Sequence, residues 1–301
     1  TAFTSTIDPL VYTATFTATD AFSGTGSVTV GTAWQNAADN TGLGDSDTVA
    51  IDTLNPTVTV NIVDASLNDT DNNSLVTFTF SEAPTNFTVA DITPVGGLIT
   101  GFTTTADPLV YTATFTAIGS FSGTGSITVD TAWQDAAGNT GGGGSDTVAI
   151  DTLNPTVTVN IVDASLNDTD NNSLVTFTFS EIPTNFTLAD ITPVGGSITG
   201  FTTTASPFVY AATFTATSAF SGTGSVTVGT AWQDAAGNTG VGGSDTVAVD
   251  TLNPTVTVNI VDASLSDADN VSDVTFTFSE APTNFTVADI TPVVGGAISA
   301  F

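Results

Sequence analysis

The chain has no lysine, arginine, histidine, cysteine or methionine, and each absence removes a class of chemistry. Without lysine or arginine nothing neutralises phosphates, which predicts no binding to nucleic acid or to an anionic membrane surface. Without histidine and cysteine there is no imidazole base, no thiolate nucleophile, no soft-metal site and no disulfide. No run of 18 or more apolar residues occurs, so no membrane insertion is expected. What remains is acid: 30 Asp and Glu give a formal net charge of −30 over 301 residues. With no side-chain cation to pair with them, salt or bound cations must offset a self-repulsion that opposes the compact state.

The sequence repeats itself. The block DTLNPTVTVNIVDASLNDTDNNSLVTFTFSE at 52–82 returns at 151–181 and again, with changes, at 250–280, a step of 99 residues. Such a period marks a tandem array whose unit has the size of a small β-sandwich. Full repeats run over 55–153 and 154–252; residues 1–54 match the C-terminal half of a repeat and residues 253–301 the N-terminal half. The chain opens at Thr1 without a methionine, so a processed or excised piece of something longer is expected.

Within 55–153 the hydrophobic period is two, in segments rich in Val, Thr, Ile and Phe, which predicts strands. Seven are expected: A around Val58, Val60 and Ile62; B around Val76, Phe78 and Phe80; C at Phe87 and Val89; a short D over 99–102; E with Leu109, Tyr111, Ala113 and Phe115; F with Ile127, Val129 and Trp133; G with Val148 and Ile150. Turn formers separate them: Pro84, Pro94 to Gly97, Asp107-Pro108, Gly123 to Gly125 and Gly138-Asn139. The fold class is therefore all-β, as tandem seven-stranded immunoglobulin-like sandwiches. An odd strand count sends the termini of each domain to opposite poles, so the domains are expected end to end as a rod.

The motifs VTFTFSEAPTNFTVADIT (76–93), LVYTATFTA (109–117), WQDAAGNTG (133–141) and SDTVAIDTLNPTV (145–157) together resemble the bacterial Ig-like repeats of very long surface adhesins and related extracellular filaments. The resemblance spans the whole chain. It implies an extracellular or cell-surface extender in which many copies project a functional tip, often with calcium at domain junctions.

The strand order places carboxylates at those junctions. Loops A–B, C–D and E–F fall at the C-terminal pole of a domain, and loops B–C, D–E and F–G at its N-terminal pole. One junction would then gather Asp64, Asp69, Asp71, Asp151, Glu181 and Asp234; a second Asp163, Asp168, Asp170, Asp250 and Glu280; a third Asp52, Glu82 and Asp135. Hard oxygen ligands in that number suit Ca²⁺, which accepts six to eight with loose geometry. Asp69-x-Asp71-x-Asn73 begins as an EF-hand loop does but lacks its glycine and closing glutamate, so a complete EF-hand is rejected. Two such charges 4 Å apart repel by ~4 kcal/mol at an effective dielectric of 20, so the gathered acids would part without a cation. The competing reading is that Asp and Asn make good loops and the acids form a solvated surface.

Other motifs have plainer readings. Asp91, Asp190 and Asp289, in the repeated ADIT turn, are expected to cap backbone amides. Trp34, Trp133 and Trp232 suit a packed core better than a sugar-stacking platform. Glu82 with Asp135 could be a glycosidase pair, but a repeated architecture without long groove-forming loops predicts no enzyme. Asn86, Asn185, Asn284, Asn68 and Asn72 open glycosylation acceptor patterns, as chance allows in so Asn- and Thr-rich a chain. The function expected is a structural extender stiffened by interdomain calcium, whose partners are neighbouring repeats of the same or an identical chain. Two alternatives stand beside it: a filament subunit whose terminal half-domains complement one another head to tail, and a carbohydrate- or receptor-binding module.

Overall fold

Period-two patterning becomes strand wherever a partner strand lies alongside. The structure, a computed structural model, describes residues 4–291 and 293–299. Phe3 and Phe301, which the repeat alignment pairs with Phe102 and Phe201, lie outside the described residues. The described residues fall into two compact units, one drawn from Thr1–Pro155 and Gln233–Gly240, the other from Thr156–Trp232 and Val241–Phe301.

The first unit opens with β1 (Thr4–Ser5), β2 (Tyr12–Thr13), β3 (Ser23–Val30) and β4 (Asp45–Asp52). A full repeat follows: β5 (Val58–Ile62), β6 (Ser66–Asn68), β7 (Asn73–Phe80), β8 (Ile92–Val95), β9 (Gly97–Thr104), β10 (Val110–Ala117), β11 (Ser122–Val129) and β12 (Gly144–Asp151). The second unit repeats this order as β13 (Val157–Ile161), β14 (Ser165–Asn167), β15 (Asn172–Phe179), β16 (Ile191–Val194), β17 (Gly196–Thr203), β18 (Val209–Ala216), β19 (Ser221–Val228) and β20 (Gly243–Asp250). It ends with β21 (Val256–Ile260) and β22 (Val274–Phe278).

Each full repeat is a sandwich of two four-stranded sheets. In the first repeat the orders are β5-β7-β10-β9 and β6-β12-β11-β8, with β6 parallel to β12 and the other pairs antiparallel. There are eight strands rather than seven because the expected strand A breaks after Ile62 and crosses to the other sheet as β6. A side chain makes the break possible: the Asp146 carboxylate on β12 accepts the Ile62 N–H at 2.8 Å, as Asp245 does for Ile161. The ladder to β7 runs on through Val63, whose N–H reaches the Leu75 carbonyl at 3.0 Å, so it is the outward N–H of an edge strand that Asp146 satisfies rather than leaves orphaned.

Inward residues of both sheets close the core. Val76, Phe78, Phe115, Ile127 and Trp133 are fully buried. The rings pack edge to face, with Phe80 against Trp133 at 4.8 Å and 80° and against Phe87 at 4.8 Å and 66°, the arrangement that ring quadrupoles favour. Trp133 needs a glycine beneath it: a Cβ on Gly141 would stand 2.1 Å from the indole. Both Trp133 and Trp232 are core residues, so neither offers a sugar-stacking face.

Several element boundaries differ from those expected. Phe87 and Val89 do not form a strand: Phe87 is a buried loop residue and Val89–Asp91 a single 3-10 turn. The strand there is β8, which contains Pro94; it is the edge of its sheet, where a missing N–H costs no ladder bond. Trp133 lies beyond β11 in the β11–β12 loop, Gly123 to Gly125 lie within β11, and β9 is eight residues long. Gly96 alone makes the β8–β9 turn, at φ +73° with a Cβ position only 3.2 Å from Gly125 Cα. The ADIT reading holds: Asp91 accepts the Thr88 N–H at 2.7 Å and caps the 3-10 turn. No helix among the described residues is long and apolar enough to cross a membrane.

Candidate metal centre

Three loops and a strand end meet at one pole of the first full repeat. Asp52 is the last residue of β4; Glu82 follows β7 by two residues; Asp135 lies in the β11–β12 loop. The local sequence brings each into place. The linker is pinned by Thr53, whose hydroxyl donates to the Thr19 carbonyl at 2.7 Å and accepts the Phe22 N–H at 3.0 Å. Ser81 ties the end of β7 to the linker, exchanging bonds with Thr57 at 2.9 and 3.0 Å. The β7–β8 loop is fastened to the β11–β12 loop through Thr85 N–H to the Gln134 carbonyl at 2.9 Å and Gln134 N–H to Asn86 Oδ1 at 2.8 Å. Gly142 N–H reaches the Pro56 carbonyl at 2.8 Å and closes the ring of contacts.

The result is a carboxylate triad. One oxygen from each of Asp52, Glu82 and Asp135 lies within 4.8 Å of the others, with Asp135 buried and the other two half-buried. Asp135 is held rigidly: Asn139 donates its backbone N–H to Oδ1 at 2.9 Å and its side-chain amide to Oδ2 at 2.8 Å. Burial pushes the Asp135 pKa up, but the Asn139 side chain and the N–H groups of Asn139, Ala137 and Gly138 outweigh it and leave it below the usual value of 3.8. Glu82 moves the other way. Burial first, then the charges of Asp52 and Asp135, raise it above 4.5. The share of that rise owed to its neighbours' charge is what a cation would relieve. Calcium–oxygen distances of about 2.3–2.6 Å place ligands on opposite sides of an ion ~5 Å apart, so the triad's span fits a single ion. This cluster could hold a metal ion.

The A–B loop is built differently from the expectation. Asn68, rather than an aspartate, organises it: its Oδ1 accepts from Thr70 N–H, Thr70 Oγ1 and Asp71 N–H at 3.0, 2.9 and 2.8 Å. Asn73 accepts from Thr116 across the β7–β10 ladder and donates its side-chain amide to the neighbouring Asn72 at 2.8 Å. Asp64 is half-buried and Asp71 exposed; among the described residues neither joins a three-carboxylate group. Asp69 donates its N–H to Asn238 Oδ1 at 2.8 Å, and its Oδ2 accepts from Asn154 at 3.1 Å. Its Oδ1 is buried and has no hydrogen-bond partner among the described residues. Segment Gln233–Gly240 belongs to this same unit, tied further by Asn68 to the Ala236 carbonyl and Asn154 to the Thr239 carbonyl. In it Asp234, buried, accepts both Asn238 donors at 2.9 Å, repeating the Asp135–Asn139 pattern.

The other sequence-selected acids are placed as follows. Asp151 ends β12, half-buried, in the first unit, and Glu181, half-buried, lies after β15 in the second. In the second unit Asp163 is half-buried and Asp168, Asp170, Asp250 and Glu280 are exposed; no three of these five form a carboxylate group among the described residues. Sequence reasoning passed over Thr53, Asn139 and Asn238, the residues that fix the acids. Their signal was present as invariant letters of the DTLNP and DAAGN motifs across the repeats. The acceptor-pattern asparagines Asn68 and Asn86 are both committed to these loops.

The family that the sequence matches agrees with the sandwich. A protein family described as bacterial Ig-like domain matches residues 52–150, 151–249 and 250–301. No curated protein matches the chain. Among solved structures, the chain is similar to the Escherichia coli adhesin FdeC, at 14% identity over 75% of this chain and 73% of that one, with a TM-score of 0.30. It is similar to Yersinia pseudotuberculosis InvD at 21% identity over 76% and 70%, TM-score 0.27. It is also similar to invasin, a bacterial integrin-binding protein, at 16% identity over 82% and 52%, TM-score 0.36.

Proposed function

Since the chain belongs to the bacterial Ig-like domain family, we propose that it is a structural extender of an extracellular or cell-surface adhesin or filament, and that calcium held between repeats stiffens it. Asp52, Glu82 and Asp135 would bind one ion. The observation that carries this reading is the triad: three carboxylates gathered within 4.8 Å in a chain with no cationic side chain to offset them. At the other pole of the repeat, the A–B loop around Asp69, which contacts Asn238 beside Asp234, would offer further oxygens, and its buried Oδ1, without a donor among the described residues, supports that role. The carboxylates supply charge and oxygen donors, Asn139 and Asn238 hold two of them in a fixed orientation, and Thr53 fixes the linker that a bound ion would immobilise.

Calcium at ~1 mM acting on a site of Kd ~10⁻⁴ M would stabilise the bound form by about 1.4 kcal/mol. Thermal melts and small-angle scattering of the chain, with calcium and with chelator, test this. The melting temperature is expected to rise by a few degrees with calcium and the chain to stiffen, and Glu82→Gln is expected to weaken both responses. Melting and scattering curves that ignore chelation would sink the proposal.

A further inference from the structure

Tension along linked repeats enters each sandwich through its first strands and leaves through its last. In the first full repeat the first strands are β5 and β6 and the last is β12. They lie side by side and parallel: Ser66, Leu67 and Asn68 of β6 pair with Ala149, Ile150 and Asp151 of β12. Pulling on the two ends of the repeat therefore drags these strands lengthwise past each other, toward opposite poles. The bonds between them are sheared together, whereas a hairpin pulled apart at its open end gives way one bond at a time.

These bonds are spread along the contact. Near the entry the Gly142 N–H reaches the Pro56 carbonyl at 2.8 Å, midway the Asp146 carboxylate accepts the Ile62 N–H at 2.8 Å, and near the exit the three-residue ladder closes. Leu67 and Ile150, each 2% exposed, cover the inner side of that ladder, so a bond broken there is not readily exchanged for one to water. The second repeat builds the same set: Asp245 accepts the Ile161 N–H at 2.8 Å, and Ser165–Asn167 pair in parallel with Ala248, Val249 and Asp250 of β20. Asp146 differs from the rest in being a side chain. It bridges the point where the first strand leaves one sheet for the other, so that no gap separates the bonds of β5 from those of β6. We infer that the parallel terminal strands form a mechanical clamp, and that Asp146 and Asp245 are its latches, making the two parts of the first strand yield together rather than in turn. The clamp belongs to each repeat by itself and needs no cation; the proposed function supplies only the tension.

Single-molecule stretching of the full chain by its two ends, with chelator present throughout, tests the clamp separately from the calcium reading. Each full repeat, 99 residues long, is expected to unfold in one step that lengthens the tether by up to ~350 Å. Asp146→Ala is expected to raise the unfolding rate of one repeat at fixed force about tenfold, the effect of orphaning one amide in the unfolding step, and to leave the other repeat as it was. Asp146→Asn keeps an acceptor oxygen and is expected to restore most of the loss. Asp91→Ala is the matched control: it takes the acceptor from the Thr88 N–H, away from the terminal strands. It is expected to lower the urea midpoint of the chain without changing either unfolding rate under force. An Asp146→Ala chain whose repeats both unfold at the parent rate, or an Asp91→Ala chain weakened under force as much as Asp146→Ala, would overturn the inference and leave Asp146 an ordinary stabilising contact.

Discussion

Residues 11–18 and residues 110–117 are the same eight amino acids, VYTATFTA, yet they fold differently. In the full repeat all eight are strand β10, paired with β7 on one side and β9 on the other, and Phe115 is completely buried. At the start of the chain only Tyr12 and Thr13 are strand, paired on one side with β1, and Phe16 is 49% exposed. The other end shows the same thing: Leu67 and Leu166 are 2% exposed in β6 and β14, but Leu265 is 51% exposed and belongs to no strand. Intrinsic propensity is the same in the two identical octapeptides, so it does not decide their outcome. A strand here is a property of its neighbours: burial against the facing sheet and a cross-strand partner supply what the backbone alone does not.

The contrast breaks most sharply at Phe115. Phe115→Ala is expected to cost ~3–5 kcal/mol, the range for emptying a buried aromatic site. Phe16→Ala, at the same place in the same octapeptide, is expected to cost under ~0.5 kcal/mol, as for a surface change. Urea denaturation of the two full-length variants decides it, and equal losses would mean that the opening segment is as well packed as the repeat. Next comes the strand break. Asp146→Ala orphans the Ile62 N–H and is expected to cost ~1–3 kcal/mol. Asp47→Ala, whose exposed carboxylate accepts, among the described residues, only from its neighbour Thr48 at 2.8 Å, is expected to be nearly silent in the same measurement.

What the sequence disclosed and what it hid follow from the same cause. Alternation placed Val58, Val60, Ile62, Val76, Phe78 and Phe80 on inward faces, and all six are buried. Local chemistry was legible too, since Asp91 caps a turn three residues away. Asp146 was not: its role is to receive an amide 84 residues distant, and nothing in SDTVAID marks that. Pro94 reads as a turn residue until the sheet order shows that β8 is an edge. Trp133 was placed in the core by composition but off its strand, because the loop that carries it is shaped by Gly141 and Asn139. For the acids, Asp52, Glu82 and Asp135 were grouped from strand parity alone. The asparagines that orient them were not singled out, because a side chain that holds another in place carries no chemistry of its own to notice.

The smallest effect expected is one of pH, and it compares two acids of one triad. Asp135 sits below its ordinary value of 3.8, so its contribution to stability is present above that pH and is lost as pH falls through its lowered pKa. Glu82 sits above 4.5, so its contribution is present below 4.5 and is lost as pH rises through its raised pKa, where it becomes a third negative charge beside Asp52 and Asp135. In chelator, the melting temperature of the chain should therefore fall at both ends of this range. Glu82→Gln should remove the loss on the high-pH side and leave the acid-side loss in place, a change below ~1 kcal/mol given the partial exposure of the group. Calcium should cancel the high-pH loss in the parent chain by taking up the charge that Glu82 gains. A pH profile that Glu82→Gln leaves unchanged would mean that the three carboxylates do not feel one another, and with that the electrostatic case for a shared ion would fail.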